Sequence, residues 1–122
     1  MSDVAGKRVL VVEDEAMIAA MIMEWLEELG CTPLGPAARL SEGFALARAE
    51  TFDAAVLDVN LNSEPIYALA DYLRARGIPI VFATGYGDGV GNRASNAPVL
   101  EKPFTADQLT RALAAALSAA AR

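Results

Sequence analysis

Short runs of apolar residues recur along the chain, and polar side chains follow them. Runs of this length are typical of strands buried in a parallel sheet, where both faces of a strand are covered. Gly35 and Pro36 are expected to end the second of these strands. The predicted strands are residues 7–13, 31–34, 52–58, 78–83 and 98–101.

Between these runs, apolar residues recur at steps of three and four positions, which predicts helices with one buried face. The predicted helices are residues 15–29, 40–50, 64–76 and a last helix that begins near Thr105. Gly30 is placed to end the first helix, and Thr105 is placed to cap the last one. Alternating glycines in residues 85–96 favour a short or flexible fourth helix, because interior glycine costs about 1 kcal/mol relative to alanine.

Strands that alternate with helices predict an α/β fold, in which a doubly wound, five-stranded parallel sheet is covered on both faces. In such sheets, ligands bind beyond the carboxyl ends of the strands. We therefore expect the polar residues at these ends to meet at one edge. Residues 1–122 show no internal repeat or linker and are interpreted as a single domain.

Composition and charge narrow the possible functions. Of the 122 residues, 54% are hydrophobic and 21% are charged, as in compact proteins with a core. The formal net charge of −6 disfavours nucleic acid as a partner, because nucleic-acid binding depends on lysine and arginine. With no histidine and one cysteine, Cys31, a zinc site is disfavoured. No apolar segment is long enough to predict a membrane span or a signal peptide, so a cytoplasmic location is expected.

Three carboxylates form the first candidate site. Glu13 and Asp14 follow the first strand, and Asp58 ends the third. Carboxylates brought together repel one another unless a cation joins them, and oxygen ligands suit Mg²⁺. The alternative for a single residue such as Asp14 is that it caps the following helix. The set of three favours a metal site.

Thr84 and Lys102 form the second candidate site. An ammonium group beside carboxylates, with a hydroxyl group opposite, can bind a tetrahedral anion, and phosphoryl transfer requires little more than such donors and a metal. Taken singly, Lys102 could be a solvated surface residue and Thr84 could stabilise a turn. The order in which the polar residues follow successive strands favours a phosphoryl site instead.

The motifs as a set resemble the receiver domain of two-component signalling over essentially the whole chain. These motifs are residues 11–15, 56–58, 84–85 and 101–104, which read VVEDE, VLD, TG and EKPF. The resemblance implies a flavodoxin-like sheet with strand order 2-1-3-4-5.

The resemblance also implies roles for individual residues. It implies that Asp58 accepts a phosphoryl group from a histidine kinase or a histidine phosphotransferase. Mg²⁺ is the implied cofactor, with Asp14 and Asp58 as ligands, Glu13 acting mainly through water, and the main-chain carbonyl of Asn60 as a further ligand. Thr84 and Lys102 are implied to bind phosphoryl oxygens.

Residues 82–86, which read FATGY, are similar to the motif of the FAT GUY subgroup of receivers. Val99 departs from the general pattern, because most receivers carry an aromatic switch residue there. The segment Asn62-Ser63-Glu64-Pro65 departs from the usual loop after the acceptor. We therefore hypothesise that Tyr86 and residues 87–96 carry the conformational change upon phosphorylation.

The sequence is best interpreted as a stand-alone phosphorylation switch. It is expected to act as a monomer that binds a downstream protein or drains phosphoryl groups from a kinase, and not as an enzyme with an external substrate. One alternative is a phosphorylation-independent adaptor, for which the complete set of Asp14, Asp58, Thr84 and Lys102 would have no use. A phosphohydrolase is a weaker alternative, because no further acid or base is visible.

Overall fold

The structure is a computed structural model, and it describes residues 4–61, 64–85 and 97–120. The helices in these ranges are α1 (Ala16–Glu28), α2 (Leu40–Ala49), α3 (Tyr67–Ala75) and α4 (Ala106–Ala120). The strands are β1 (Arg8–Val12), β2 (Thr32–Ala37), β3 (Ala54–Asp58), β4 (Asn60–Leu61), β5 (Glu64–Pro65), β6 (Ile80–Thr84) and β7 (Val99–Glu101).

Five strands form one parallel sheet in the order β2-β1-β3-β6-β7. The short strands β4 and β5 pair with each other in an antiparallel hairpin outside this sheet. The order therefore confirms the predicted 2-1-3-4-5 arrangement once the hairpin is left out of the numbering. Strands β3 and β6 are buried along their whole length, which agrees with their continuous apolar sequences.

Residues of the main sheet pack into two hydrophobic cores, one on each face of the sheet. On one face, Leu10 and Leu57 pack with Leu69 of α3 and with partly buried Phe44 of α2. On the other face, residues such as Val9, Val56 and Val81 pack with α1 and α4. The fold is thus the doubly wound, flavodoxin-like fold that the sequence predicts, with helices on both faces.

Two predicted helix ends are confirmed in detail. Gly30 follows α1 with φ of 85°, a conformation that side chains other than glycine rarely adopt. At the start of α4, the hydroxyl of Thr105 accepts a hydrogen bond of 3.1 Å from the backbone N–H of Gln108. The amide oxygen of Gln108 accepts one of 2.8 Å from the Thr105 N–H, which completes a reciprocal cap.

Two predicted boundaries lie three residues from the observed ones, and the other strand and helix boundaries agree to within two residues. Strand β2 continues through Gly35 and Pro36 to Ala37, because its position at the edge of the sheet tolerates proline and an irregular register with β1. Helix α3 begins at Tyr67 and not at Glu64. Glu64 precedes Pro65, which disfavours helical backbone, and its carboxylate instead accepts a hydrogen bond of 3.3 Å from the Leu40 N–H.

Two other predictions lie outside the described residues. These are the short or flexible fourth helix and the switch role of Tyr86 with residues 87–96. Within the described ranges, none of the helices combines the length and the apolar character that crossing a membrane requires.

Candidate functional site

The parallel register brings the predicted site residues to one edge of the sheet. Val12 is level with Leu57, so Glu13, which directly follows β1, lies level with Asp58, the last residue of β3. Asp58 in turn is level with Ala83, which immediately precedes Thr84 on β6. Thr84 is level with Glu101 of β7, and its carbonyl accepts a hydrogen bond of 2.9 Å from the Lys102 N–H.

The three predicted carboxylates lie together at this edge. Glu13, Asp14 and Asp58 each offer an oxygen within 4.8 Å of the other two. Glu13 and Asp58 are buried, with 2% and 3% of their surface exposed, while Asp14 is half-buried. The backbone N–H of Glu13 donates to the carbonyl of Ala37 at 2.9 Å, so strand β2 fixes where this acidic turn begins.

The side chain of Lys102 reaches into this group of carboxylates. Its Nζ lies 3.0 Å and 3.1 Å from the two carboxylate oxygens of Glu13 and 3.3 Å from Oδ1 of Asp58. It also donates a hydrogen bond of 3.2 Å to Oε1 of Glu15. Because the Lys102 side chain is only 12% exposed, water screens these charges weakly. Lys102 is therefore an integral part of the acidic site and not a solvated surface lysine.

Crowding of the carboxylates shifts the pKa values of Asp58 and Lys102. Burial, the negative charge of Glu13 and a hydrogen bond with Asp14 raise the pKa of Asp58 to about 8, and Lys102 only partly opposes this. Burial alone would lower the pKa of Lys102, but its hydrogen bond and charge interactions with Glu13 and Asp58 raise it above the ordinary value. Lys102 is thus held as a cation, and the remaining negative charge of the site can bind a further cation.

The residues fit a hard divalent cation such as Mg²⁺. Oε1 of Glu13 is buried and accepts no hydrogen bond among the described residues, since Lys102 approaches it outside hydrogen-bond geometry. Such an oxygen in a buried acidic group is an available ligand or an acceptor for a metal-bound water. The donor set of carboxylate oxygens, without nitrogen or sulfur, suits Mg²⁺ and not zinc.

Thr84 and Asn60 lie at the border of the acidic group. The hydroxyl of Thr84, which is 6% exposed, donates a hydrogen bond of 3.1 Å to the carbonyl of Gly85. The Asn60 N–H donates to Oδ1 of Asp58 at 3.4 Å. In the hairpin of β4 and β5, Asn60 lies opposite Pro65, and the Ile66 N–H donates to the carbonyl of Val59 at 3.2 Å.

The contact between Glu15 and Lys102 was not predicted from the sequence. Glu15 directly precedes α1 and was considered only as the last residue of the acidic motif. The signal that could have found it is the run Glu13-Asp14-Glu15, in which every second side chain of an extended segment points the same way. Glu13 and Glu15 can therefore reach the same ammonium group.

An apolar cavity of about 390 Å³ adjoins the acidic group. It lies between α1 and the segment after β7, and Lys102 and Glu15 form part of its wall. Trp25 packs edge-on against Phe104 in this wall, with ring centroids 6.1 Å apart. Its other lining residues are Ile18, Met21, Ile22, Gly85 and Pro103.

The raised pKa of Asp58 predicts how stability depends on pH in metal-free protein. At pH values between 3.8, the pKa of Asp58 in the unfolded chain, and about 8, Asp58 holds its proton more tightly in the folded state than in the unfolded state. Its contribution to stability therefore falls as pH rises through this interval and levels off above pH 8. The Asp58→Asn substitution removes the titrating group and therefore removes this loss of stability with rising pH. The Tm of Asp58→Asn minus that of the wild type should therefore increase from about pH 5 to about pH 8 in EDTA.

The exposed Asp53, at the other end of β3, provides a matched control. The Tm difference between Asp53→Asn and the wild type should change little over the interval in which that of Asp58→Asn rises. Thermal unfolding followed by circular dichroism measures both. A difference for Asp58→Asn that stays constant or shrinks with rising pH would contradict the electrostatic assignment.

Comparison with known proteins identifies the family. Residues 9–114 match the family model described as the response regulator receiver domain. The match covers every strand of the main sheet except the first residue of β1. The chain therefore belongs to the response regulator receiver domain family, as the motifs indicated. Receiver domains are signalling domains that bind Mg²⁺ at an acidic pocket and interact with kinases or phosphotransferases and with downstream partners.

Individual relatives agree with this family. The solution structure of SdrG from Sphingomonas melonis Fr1 is 45% identical, with a TM-score of 0.84, and the match covers 91% of this chain and 96% of SdrG. The transcriptional regulatory protein PdtaR of Mycobacterium tuberculosis is 32% identical over 92% of this chain. The phyllosphere-induced regulator PhyR of Methylorubrum extorquens is 28% identical over 89% of it. The matched segments span 57% of PdtaR and 43% of PhyR.

Proposed function

We propose that this chain is a phosphorylation switch in which Asp58 accepts a phosphoryl group from the phosphohistidine of a kinase or a histidine phosphotransferase. The observation that carries the proposal is the position of Asp58. It is buried at the end of β3, in a cluster with Glu13 and Asp14, with the Lys102 ammonium 3.3 Å from Oδ1. A carboxylate in this setting has both a cation partner and a site for a metal.

The proposed reaction is a transfer between two nucleophiles. A carboxylate oxygen of Asp58 forms a bond to phosphorus while the bond from phosphorus to the donor imidazole nitrogen breaks, and that nitrogen leaves with the electron pair. Lys102 and Thr84 donate to phosphoryl oxygens, which orients the group and balances part of its charge. Mg²⁺, when bound, neutralises further negative charge on the phosphoryl oxygens.

In this proposal, Asp14 and Asp58 bind Mg²⁺ directly, Glu13 acts through water, and the Asn60 carbonyl is a further ligand. Support comes from the 4.8 Å cluster and from Oε1 of Glu13, which accepts no hydrogen bond among the described residues. Mg²⁺ keeps several waters in protein sites, which agrees with a small number of protein ligands.

The distinct roles of the carboxylates can be tested by metal titration. Asp14→Ala should weaken Mg²⁺ binding by at least about tenfold, because a directly ligating carboxylate with little competing hydrogen bonding is lost. Phosphorylation by acetyl phosphate should fall in parallel and recover partly at high Mg²⁺ concentration. Asp53→Asn should bind Mg²⁺ as the wild type does. Unchanged Mg²⁺ affinity in Asp14→Ala would assign the metal to other ligands.

The comparisons support phosphorylation over the alternative of a phosphorylation-independent adaptor. SdrG, at 45% identity, has a solution structure in a BeF3-activated conformation, with a TM-score of 0.75 to this chain and coverage of 93% of it. Trifluoroberyllate mimics a phosphoryl group on a carboxylate. An adaptor that needs no phosphorylation would also have no need to bury Asp58 beside Lys102, because buried charges are costly to maintain.

We further propose that residues 1–122 act as one monomeric receiver domain, which signals by binding a downstream protein or serves as a phosphoryl sink. The phosphodonor protein would contact the apolar cavity beside Lys102, whose wall includes Met21 of α1, a residue that is 40% exposed. Methionine side chains adapt to different partner surfaces. Substituting Met21 by alanine should slow transfer from a protein donor and leave acetyl phosphate labelling unchanged.

A further inference from the structure

Glu15 is the one partner of Lys102 at this site that is largely exposed among the described residues. Its carboxylate is 60% exposed, whereas the side chains of Glu13 and Asp58 are 1% and 4% exposed. The hydrogen bond from Nζ of Lys102 to Oε1 of Glu15 is 3.2 Å long. The ammonium group thus bridges two buried carboxylates and one exposed carboxylate.

An ammonium group has only three protons to donate. In this structure, Lys102 donates hydrogen bonds to Glu13 and Glu15 and forms an ion pair with Asp58 at 3.3 Å. Phosphoryl oxygens that accept hydrogen bonds from Lys102 therefore compete with these carboxylates for the ammonium group. Separation from a buried carboxylate leaves an uncompensated charge, which is strongly unfavourable, whereas water readily solvates the exposed Glu15. Glu15 is consequently the partner that is released at the lowest cost.

We propose that Glu15 is a positioning residue that holds Lys102 in its resting arrangement and yields it to the incoming phosphoryl oxygens. This inference rests on the proposed phosphorylation of Asp58. In the resting state, Glu15 satisfies a lysine proton that would otherwise point toward the cavity. During phosphorylation, the phosphoryl group competes with Glu15 for the same ammonium group, so the Glu15 carboxylate opposes formation of the activated state.

The position of Glu15 before α1 does not give its side chain a capping role. The side chain makes no capping hydrogen bond to the helix. The Glu15 backbone N–H donates to Oε2 of Glu13 at 3.1 Å, and substitution of the side chain retains this group. Variants at position 15 therefore alter the contact with Lys102 without removing a helix cap.

Removal of the Glu15 carboxylate is expected to strengthen the binding of a phosphoryl-like anion and to weaken the binding of a divalent cation. Without the Glu15 carboxylate, Lys102 is freer to bind an anion, and the local potential is less negative. Both changes favour a phosphoryl-like anion. The same loss of negative charge weakens attraction of a divalent cation and leaves Lys102 a stronger competitor for Glu13 and Asp58. A purely structural role of Glu15 would instead weaken the binding of both ligands.

The test is titration of beryllium fluoride into the protein at saturating Mg²⁺, with a separate titration of Mg²⁺ alone. Trp25, the single tryptophan, lies in the wall of the cavity that Lys102 and Glu15 also line, so its fluorescence can report binding. Fluorine NMR of bound beryllium fluoride provides an independent readout. The variants are Glu15→Gln, which removes the charge, and Glu15→Ala, which also removes the contact. Glu24→Gln, at an exposed position on α1, is the control.

Both Glu15 variants should bind beryllium fluoride about twofold to fivefold more tightly than the wild type, with Glu15→Ala at least as tight as Glu15→Gln. Their Mg²⁺ affinity should be equal to that of the wild type or about twofold weaker. Glu24→Gln should match the wild type for both ligands. If the wild type binds beryllium fluoride and the Glu15 variants bind it no more tightly, the positioning role is refuted. If the wild type itself fails to bind, the proposed function fails first.

Discussion

Replacing Asp58 by asparagine is expected to reduce labelling by radioactive acetyl phosphate to the level of a blank without protein. The amide keeps the size of the side chain and one acceptor oxygen, but an NH2 donor replaces the other oxygen, so the nucleophilic carboxylate is lost. The variant should remain folded, because removing one carboxylate from the crowded group relieves repulsion. A complete loss of labelling in a folded protein would therefore report loss of the acceptor.

Asp53→Asn is the matched control for this experiment. Asp53 is exposed and precedes β3, and it accepts a hydrogen bond of 2.8 Å from the Arg8 N–H at the edge of the sheet opposite the site. Labelling of the Asp53→Asn variant should equal that of the wild type. Labelling of Asp58→Asn at the wild-type level would show that another residue accepts the phosphoryl group.

Lys102→Ala is expected to have the second large effect, on stability in the absence of metal. Lys102 is the cation that contacts buried Glu13 and Asp58, and above about pH 8, where folded Asp58 is ionised, its removal leaves both charges uncompensated. Breaking a buried ion pair from one side costs about 3 kcal/mol or more. We expect a loss of about this size in EDTA, measured by urea unfolding, and substantial recovery in Mg²⁺, because the metal supplies the missing positive charge.

The exposed ion pair of α4 provides the comparison. Arg111 lies 2.9 Å from Asp107, with both side chains more than 70% exposed, so Arg111→Ala should change stability by less than about 1 kcal/mol. Mg²⁺ should not alter this small change. If Mg²⁺ fails to restore Lys102→Ala, packing of the lysine side chain and not its charge explains the loss.

Most of the fold could be predicted because the sheet is parallel and buried on both faces. Continuous apolar runs such as residues 54–57 mark strands, and helical periodicity marks the segments between them. The errors lie where tertiary contacts override local pattern. Glu64 leaves the predicted helix because it precedes Pro65, a local signal that the prediction overlooked, and because its carboxylate binds the start of α2, which a local pattern cannot reveal.

The candidate site could be predicted as a set of residues because each follows the end of a strand. Their grouping required only that parallel strands share a carboxyl edge, and the structure brings Glu13, Asp14, Asp58 and Lys102 together there. The geometry that decides the chemistry could not be predicted. Neither the contacts between Lys102 and both Glu13 oxygens nor the additional contact with Glu15 can be read from spacing, because they depend on side-chain conformation.

The central claim, that Asp58 is the phosphoryl acceptor, is tested most directly by locating the modification. Protein incubated with acetyl phosphate and Mg²⁺ would be reduced with borohydride, which converts an acyl phosphate to an alcohol, and then digested and analysed by mass spectrometry. We expect modification at a single position, Asp58, and no modification when EDTA replaces Mg²⁺. Modification at Asp14 or Glu13, or at Asp58 in the presence of EDTA, would contradict it.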